Sequence, residues 1–381
     1  MPNIFDYLKW RGDLSFSQDP PNPVDALVFS GLSYIQFWPD MNSAPEEPVS
    51  LQSAAETFFS REDYESCCRI QKDLDLLRAA SETSRFGNTQ ICMYRDLLIP
   101  EQDTQFAAMT FLLDDGSMFL AFRGTDNSLV GWKEDFNMTF QQTIPAQRLA
   151  VQYTRDVSME YLRPMRIGGH SKGGNLAVFA AARSSPMIQQ GILEVYNHDG
   201  PGFTQYLMGD PGYVAMVPKI KTFIPQSSVI GMLLEHEEPY TVIRSKTLGL
   251  LQHDFYTWDV LGKGFIPVQE ITESSQFVDA AIKTWFADMT NQEREQLVDV
   301  MFALLGSGGA DNVYDLLHPR NLKMYIKTLS SDEHLRRVLS AEFTGLIEAA
   351  RRTKLRFEEQ RESQLLLEEK QEEAKLKEPH G

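Results

Sequence analysis

Apolar and polar residues follow two different periods along the chain, and the change between them marks the predicted elements. Residues 1–25 are polar and contain prolines, so we expect an arm or loop there. Apolar residues then recur at helical spacing over residues 26–35, with Asp25 as the predicted N-cap, and residues 50–82 are also helical in pattern. From about residue 89 two apolar runs flank an Asp-Asp-Gly turn at 114–116, which predicts a β-hairpin.

Strand and helix patterns alternate after the hairpin, which predicts an α/β fold with a mostly parallel sheet and helical crossovers. Every segment after about residue 268 is helical in pattern. The predicted strands cover residues 165–169, 192–197, 219–224 and 240–244, and the predicted crossover helices cover 145–162 and 172–184. We therefore expect four parts: an N-terminal arm and helical cap segment (1–88), an α/β core (89–267), a helical C-terminal region (268–350) and a charged helical or disordered tail (351–381).

Composition narrows the classes of partner and cofactor. The 381 residues carry 36 Lys+Arg against 53 Asp+Glu, a net charge of -17, so nucleic acid and anionic membrane surfaces are not expected partners.

The chain has three cysteines, Cys67, Cys68 and Cys92, and no Cys-x-x-Cys pair. Neither a disulfide framework nor a metal site is therefore expected. Motifs for nucleotide cofactors are absent, and we expect no cofactor. Without a secretory signal or a long apolar run, the sequence predicts a cytoplasmic protein with no membrane span.

The segment 169–173 reads G-H-S-K-G and carries the strongest chemical signal. A strand pattern precedes it, and a helix pattern rich in small residues follows over 172–182. This strand–turn–helix setting is typical of a nucleophile elbow, which presents a serine hydroxyl at the N-terminus of a helix. Ser171 is therefore the candidate nucleophile, and the alternative is an ordinary glycine-rich turn.

A serine nucleophile needs a general base, and His253 is the candidate. It follows the last predicted strand, which agrees with the chain order Ser, Asp or Glu, His of this fold class. The alternative is a surface-loop histidine packed on Trp258. His170 adjoins Ser171, and we expect its side chain to point away from the hydroxyl. The other histidines fit the order less well: His198, His236, His318, His334 and His380.

Asp199 is the candidate for the acid that orients the base. It ends the strand EVYNH and opens the turn Gly200-Pro201-Gly202, at a strand tip where ligand groups converge. An Asx-type turn residue is the alternative, and the two are compatible. The next strand, KIKTFIPQSS, ends without a carboxylate.

Acyl transfer also needs donors for a developing oxyanion. The backbone N–H of Lys172, directly after the candidate nucleophile, is one predicted donor. Thr125, in the segment 122–126 that closes the hairpin, is the other, through its N–H and its hydroxyl. A polar turn closing the strand is the alternative.

These motifs resemble a known pattern. FRGTD at 122–126 followed by Trp132 and Asp135, then GHSKGG, resembles the class 3 lipases of the α/β-hydrolase superfamily. The stretch 4–260, with YLKWRGDLSFSQ, NHDGPGF and LQHDFYTW, resembles more specifically a bacterial family, the Mbeg-like proteins. The resemblance implies an α/β-hydrolase core over 89–267, in which Ser171 is the nucleophile.

The same resemblance implies that His253 is the base, and that Thr125 and the Lys172 amide are the oxyanion donors. Two departures stand out. Class 3 lipases usually carry the acid after the next strand, where this chain has the segment 225–228, so the acid would have moved to Asp199. Lys172 replaces a common leucine, and we expect its charged side chain near the mouth of the site.

The sequence therefore predicts a serine esterase, lipase-like, that cleaves a small-molecule or lipid ester through an acyl-enzyme on Ser171. Thioesters and amides stay open as substrates. The alternative is a catalytically inactive hydrolase fold that serves as a binding or scaffold protein, with a partner for its C-terminal helix.

Overall fold

The computed structural model describes residues 1–126, 128–308 and 319–377. An eight-stranded sheet, with its strands in chain order, forms its centre. The strands are β1 (Val49–Ser50), β2 (Gln90–Ile99), β3 (Thr104–Leu112), β4 (Met118–Phe122), β5 (Met165–His170), β6 (Ile192–His198), β7 (Ile220–Pro225) and β8 (Tyr240–Ile243). Strands β1 to β4 are antiparallel, and β4 to β8 are parallel. A separate two-stranded pair comprises β9 (Val260–Leu261) and β10 (Gly264–Phe265). The expected mostly parallel α/β architecture is confirmed.

Helices cover both faces of this sheet. They are α1 (Ile4–Arg11), α2 (Pro23–Leu32), α3 (Leu51–Phe59), α4 (Gln71–Ser81), α5 (Ser84–Gly87), α6 (Leu129–Asn137), α7 (Pro145–Glu160), α8 (Lys172–Arg183), α9 (Pro186–Gly191), α10 (Gln205–Met208), α11 (Pro211–Met216), α12 (Glu273–Ala287), α13 (Asn291–Gly306), α14 (Pro319–Ser331) and α15 (Glu333–Lys377).

Strand β4 shows how the core is divided into two layers. Its side chains alternate between the faces, as pleating requires. Phe119 and Ala121 join the cluster formed with the N-terminal helices α1 to α4. Leu120 and Phe122 join the cluster formed with α7, α8 and α11. Both faces are covered, which explains the continuous apolar runs of β3 and β4.

The N-terminal segment differs from the expectation in two ways. Helix α1 lies inside the predicted arm, and helix α2 begins earlier, with Asn22 rather than Asp25 as its N-cap. The Asn22 side chain accepts from the backbone of Val24 and Asp25, while the Asp25 carboxylate accepts from the Asn22 N–H. This is a capping box with proline at the first position, and Asp25 is its third helical residue. Strand β2 was also not predicted.

The C-terminal helices α12 to α15 confirm the helical pattern after residue 268. Helix α13 packs against α6 next to the sheet, where the rings of Phe136 and Phe302 lie 5.8 Å apart. Helix α15 continues to Lys377, and the last residues of the predicted tail, 378–381, lie outside the described residues. The boundaries of the four parts stay a prediction. Within the described ranges, every helix is too short or too polar to cross a bilayer.

Candidate active site

Ser171 stands alone between strand β5 and helix α8. Its backbone has φ 58° and ψ −135°, a left-handed conformation that L-residues rarely adopt. Such strain persists where the surrounding structure imposes it, and it is the backbone signature of a nucleophile elbow. The turn places the side chain at the start of α8, where free N–H groups favour negative charge.

The structure brings His253 to Ser171 from 82 residues further along the chain. Its Nε2 lies 2.9 Å from Ser171 Oγ, within hydrogen-bond distance. His253 ends the short 3₁₀ helix Gly249–His253, which follows β8. Its side chain is 25% exposed, whereas Ser171 is 9% exposed. A base in contact with a nucleophile, and open to water, meets the geometric requirement for general base catalysis.

Asp199 lies on the other side of the imidazole, directly after strand β6. Its Oδ2 is 2.6 Å from His253 Nδ1, and the carboxylate is fully buried. The second oxygen, Oδ1, accepts a 2.5 Å hydrogen bond from Ser228 Oγ. Ser228 belongs to the segment after β7 that has no carboxylate, and no local pattern predicts its contact with Asp199. That segment therefore supplies a hydroxyl that holds Asp199 in place.

Gly124, the residue before Thr125, lies against the turn at Ser171 because β4 and β5 are parallel neighbours, with Phe122 opposite Gly169. Both chains leave the sheet at the same edge. At Gly124 the contact is so close that an added Cβ would lie 2.4 Å from the His170 carbonyl oxygen and 3.1 Å from Ser171 Cβ. The backbone of the 124–125 segment therefore runs directly against the turn at Ser171, which is where the predicted oxyanion donor would have to lie.

The Thr125 hydroxyl donates a hydrogen bond to Asp135 Oδ2 on helix α6. Desolvation raises the pKa of Asp135 to about 6, although the Lys172 ammonium and the Thr125 hydroxyl act in the opposite direction. The hydroxyl of Thr125, one of its two predicted oxyanion donors, is thus engaged by a carboxylate ten residues later, and the backbone N–H is the donor that this residue can offer.

Lys172 corrects an expectation about the mouth of the site. Its side chain is fully buried rather than exposed there. The ammonium donates to Gln105 O at 3.0 Å, to Gln105 Oε1 at 2.8 Å and to Glu134 Oε2 at 3.0 Å. A buried charge needs such partners, and the sequence did not show that they would surround it. The Lys172 backbone N–H stays at the start of α8.

His170 makes two side-chain hydrogen bonds that the sequence did not predict. Its Nε2 lies 2.8 Å from the His253 carbonyl oxygen, so Nε2 carries the proton and donates. Its Nδ1 then accepts from the Tyr34 hydroxyl at 2.9 Å. Desolvation first, and then the nearby His253, lower the pKa of His170 well below its usual value, which keeps the ring neutral. The backbone of His253 is thereby fastened to strand β5.

A model of the Mbeg1-like family matches residues 80–303, more than half of the chain. The chain belongs to the Mbeg1-like family. The matched range contains all five of the predicted site residues, from Thr125 to His253. No curated protein matches this member of the family.

Among solved structures, this Mbeg1-like chain is similar to the following three, two of which are lipases. M37 lipase is 15% identical with a TM-score of 0.35, over 54% of this chain and 68% of that one. The Rhizomucor miehei lipase propeptide complex is 14% identical with a TM-score of 0.35, over 57% and 67%. A mutant of MDLA from Penicillium cyclopium is 15% identical with a TM-score of 0.35, over 64% and 88%. Likenesses this distant carry no activity over, so function is argued from the side chains.

Proposed function

We propose that this Mbeg1-like protein is a serine hydrolase that cleaves carboxylic esters through an acyl-enzyme on Ser171. One observation carries the proposal: an unbroken hydrogen-bonded chain from Ser171 Oγ through the His253 imidazole to the buried Asp199 carboxylate. A nucleophile, a base and an orienting acid in this order form the constellation of serine acyl transfer.

In the first step the Ser171 oxygen attacks the ester carbonyl carbon while His253 Nε2 takes its proton. Asp199 holds the imidazole in the required tautomer and stabilises the imidazolium. The tetrahedral oxyanion is stabilised by the backbone N–H groups of Lys172 and Thr125, at the edge where β4 and β5 end. Collapse breaks the bond to the alcohol, which leaves with the proton from His253.

In the second step water attacks the acyl-enzyme, and His253 takes a proton from that water. The carboxylic acid leaves, and the proton returns to Ser171. The neutral His170 supports both steps. Its hydrogen bond to the His253 carbonyl oxygen keeps His253 in place while the His253 ring gains and loses a proton. A cytoplasmic location and a partner for the C-terminal helix stay predictions.

A fluorophosphonate probe tests the proposal, since it labels only activated serines. We expect labelling of the wild-type chain and hydrolysis of p-nitrophenyl esters, both abolished in Ser171→Ala and strongly reduced in His253→Ala. Ser274→Ala, at an exposed serine of α12, serves as the control and should keep both activities. A folded wild-type protein that neither labels nor hydrolyses would favour the binding or scaffold protein instead. A series of acyl-chain lengths then defines the substrate.

A further inference from the structure

Helix α6 follows residues 124–125, the proposed oxyanion segment, and packs against it. A Cβ added at Gly131 would lie 2.9 Å from Thr125 Cγ2, and Asp135 accepts the Thr125 hydroxyl. A helix in this place either moves aside to admit a substrate or forms a permanent wall. A helix that moves aside has few buried polar contacts to break, whereas a permanent wall is held by several. The contacts of α6 are of the second kind.

The inner side of α6 is fastened by one fully buried carboxylate, that of Glu134. Its Oε2 accepts from Lys172 Nζ at 3.0 Å and from the Gln105 N–H at 3.1 Å. Its Oε1 accepts from the Ala146 N–H at 2.9 Å. Helices α7 and α8 and strand β3 therefore meet at Glu134. Withdrawal of α6 would leave the Lys172 ammonium in the interior without its counter-charge, which is strongly unfavourable.

The outer side of α6 is held as well. Lys133 Nζ lies 2.9 Å from Asp103, between β2 and β3, and 3.0 Å from Asp299 on α13. Phe136 packs on α13, as described above. Arg294 of α13 donates to the Thr139 carbonyl oxygen, just after α6, at 3.0 Å. The helix is thus bound to the sheet on one side and to the C-terminal helices on the other.

Access to the base does not require α6 to move. The His253 side chain keeps a quarter of its surface exposed with α6 in place. The loop that carries it also presents Leu248 and Leu251, which are 77% and 70% exposed. An ester with a short apolar group can meet these apolar side chains as it approaches His253.

We propose that α6 is a fixed wall of the site, and that the enzyme acts on ester molecules dissolved singly in water rather than on an aggregated lipid surface. This inference rests on the proposed function. A site that opens against a lipid surface gains activity when that surface forms. A site that is already formed obeys simple saturation in the dissolved ester and gains nothing from aggregation.

The first test measures hydrolysis of tributyrin across its solubility limit. We expect the rate to saturate with the dissolved ester and to change less than twofold when droplets form. A tenfold rise at the solubility limit would overturn the inference.

The second test ties α6 to the sheet. Lys133→Cys and Asp103→Cys are combined in a Cys68→Ser background and joined by a short bis-maleimide. We expect the cross-linked protein to react with the fluorophosphonate within twofold of the rate of the Lys133→Cys protein capped with a simple maleimide. Labelling that is lost only in the cross-linked protein would overturn the inference and leave the proposed function intact. A wild-type chain that neither labels nor hydrolyses would overturn both.

Discussion

Asp199 uses both oxygens of its carboxylate, one for His253 and one for Ser228. Its own backbone is left-handed, with φ 54°, a conformation that aspartate tolerates better than most residues. A buried carboxylate with both oxygens bound is fixed in rotation, so it can hold the imidazole in one orientation. In the proposed mechanism the hydroxyl of Ser228 therefore takes part in positioning the base through Asp199.

Replacement of Ser228 by alanine should lower kcat about tenfold with little change in KM, because a hydrogen bond to a charged group is worth roughly 1.5–3 kcal/mol and part of that loss reaches the transition state. Steady-state kinetics on a p-nitrophenyl ester measure the effect. Ser227→Ala is the matched control, since the Ser227 hydroxyl lies near Thr272 rather than Asp199. Ser228→Thr keeps a hydroxyl and should restore most of the rate. Equal losses in the two alanine variants would contradict this role.

Asp135 should contribute less to folding stability as the pH rises. Its pKa is raised from 3.8 to about 6 in the folded chain, so the unfolded chain ionises first as the pH rises. The contribution of Asp135 to folding stability therefore falls between pH 4 and 6, by up to about 3 kcal/mol at 1.36 kcal/mol per pKa unit, opposite in direction to the contribution of the buried histidines.

Asp135→Asn removes this dependence. The variant should gain stability over the wild type as the pH rises from 4 to 6 and keep that advantage at pH 7. Urea unfolding at pH 4, 5, 6 and 7 measures it, with Asp156→Asn on the exposed side of α7 as the control. A stability difference that is constant across this range would refute the assignment.

At the scale of elements, α6 and the oxyanion segment form one packed unit. The contact between Gly131 and Thr125 leaves no space for a methyl group, as the 2.9 Å distance to Thr125 Cγ2 shows. The Ser128 hydroxyl caps the helix by accepting from the Gly131 N–H at 3.1 Å. The position of Thr125 is thus set by the helix that follows it as well as by strand β4.

Gly131→Ala should displace Thr125 and lower the rate of fluorophosphonate labelling about tenfold, less than the 10²–10³ that removal of a whole oxyanion donor typically costs. Gly191→Ala is the matched control, because an added Cβ at Gly191 meets nothing within 4 Å. Gly131→Ala should also unfold at a lower temperature than Gly191→Ala, because the added methyl group has no space there. If Gly131→Ala labels at the wild-type rate, the packing of α6 does not set the position of Thr125.

At the scale of the whole molecule, two fully buried histidines, His170 and His198, make the fold sensitive to acid. His198 lies among aromatic rings where three segments meet, with Tyr196, Phe223 and Trp258 as near neighbours. Desolvation lowers its pKa from 6.5 to about 3. Below pH 6.5 His198 is therefore protonated in the unfolded chain but stays neutral in the folded chain. Its contribution to folding stability is lost as the pH falls below 6.5.

His198→Leu should reduce the stability difference between pH 7.5 and pH 5 by about 2 kcal/mol, which follows from 1.36 kcal/mol per pKa unit. Urea unfolding at the two pH values measures it, and the comparison removes any pH-independent packing loss. His334→Leu, at an exposed position of α15, should leave the difference unchanged. An unchanged acid sensitivity in His198→Leu would show that other groups cause it.

Short-range patterns were sufficient for much of the fold and for the choice of candidate residues. The Asp-Gly turn at 114–116, the alternation of strands and helices, and the G-x-S-x-G segment around Ser171 each depend on neighbours within a few residues. The start of α2 at Asn22 was missed although its capping box is local, because Asn22 and Asp25 both suit an N-cap.

Tertiary structure alone decided which distant side chains meet. Lys172 was expected near the mouth of the site, yet Glu134 and Gln105 from other elements surround its ammonium and make its burial tolerable. The contacts of Ser228 with Asp199 and of His170 with the His253 backbone are of the same kind. Local patterns determine elements because backbone preferences act over a few residues. The energy of a buried polar group depends on partners that only the assembled fold brings within hydrogen-bond distance.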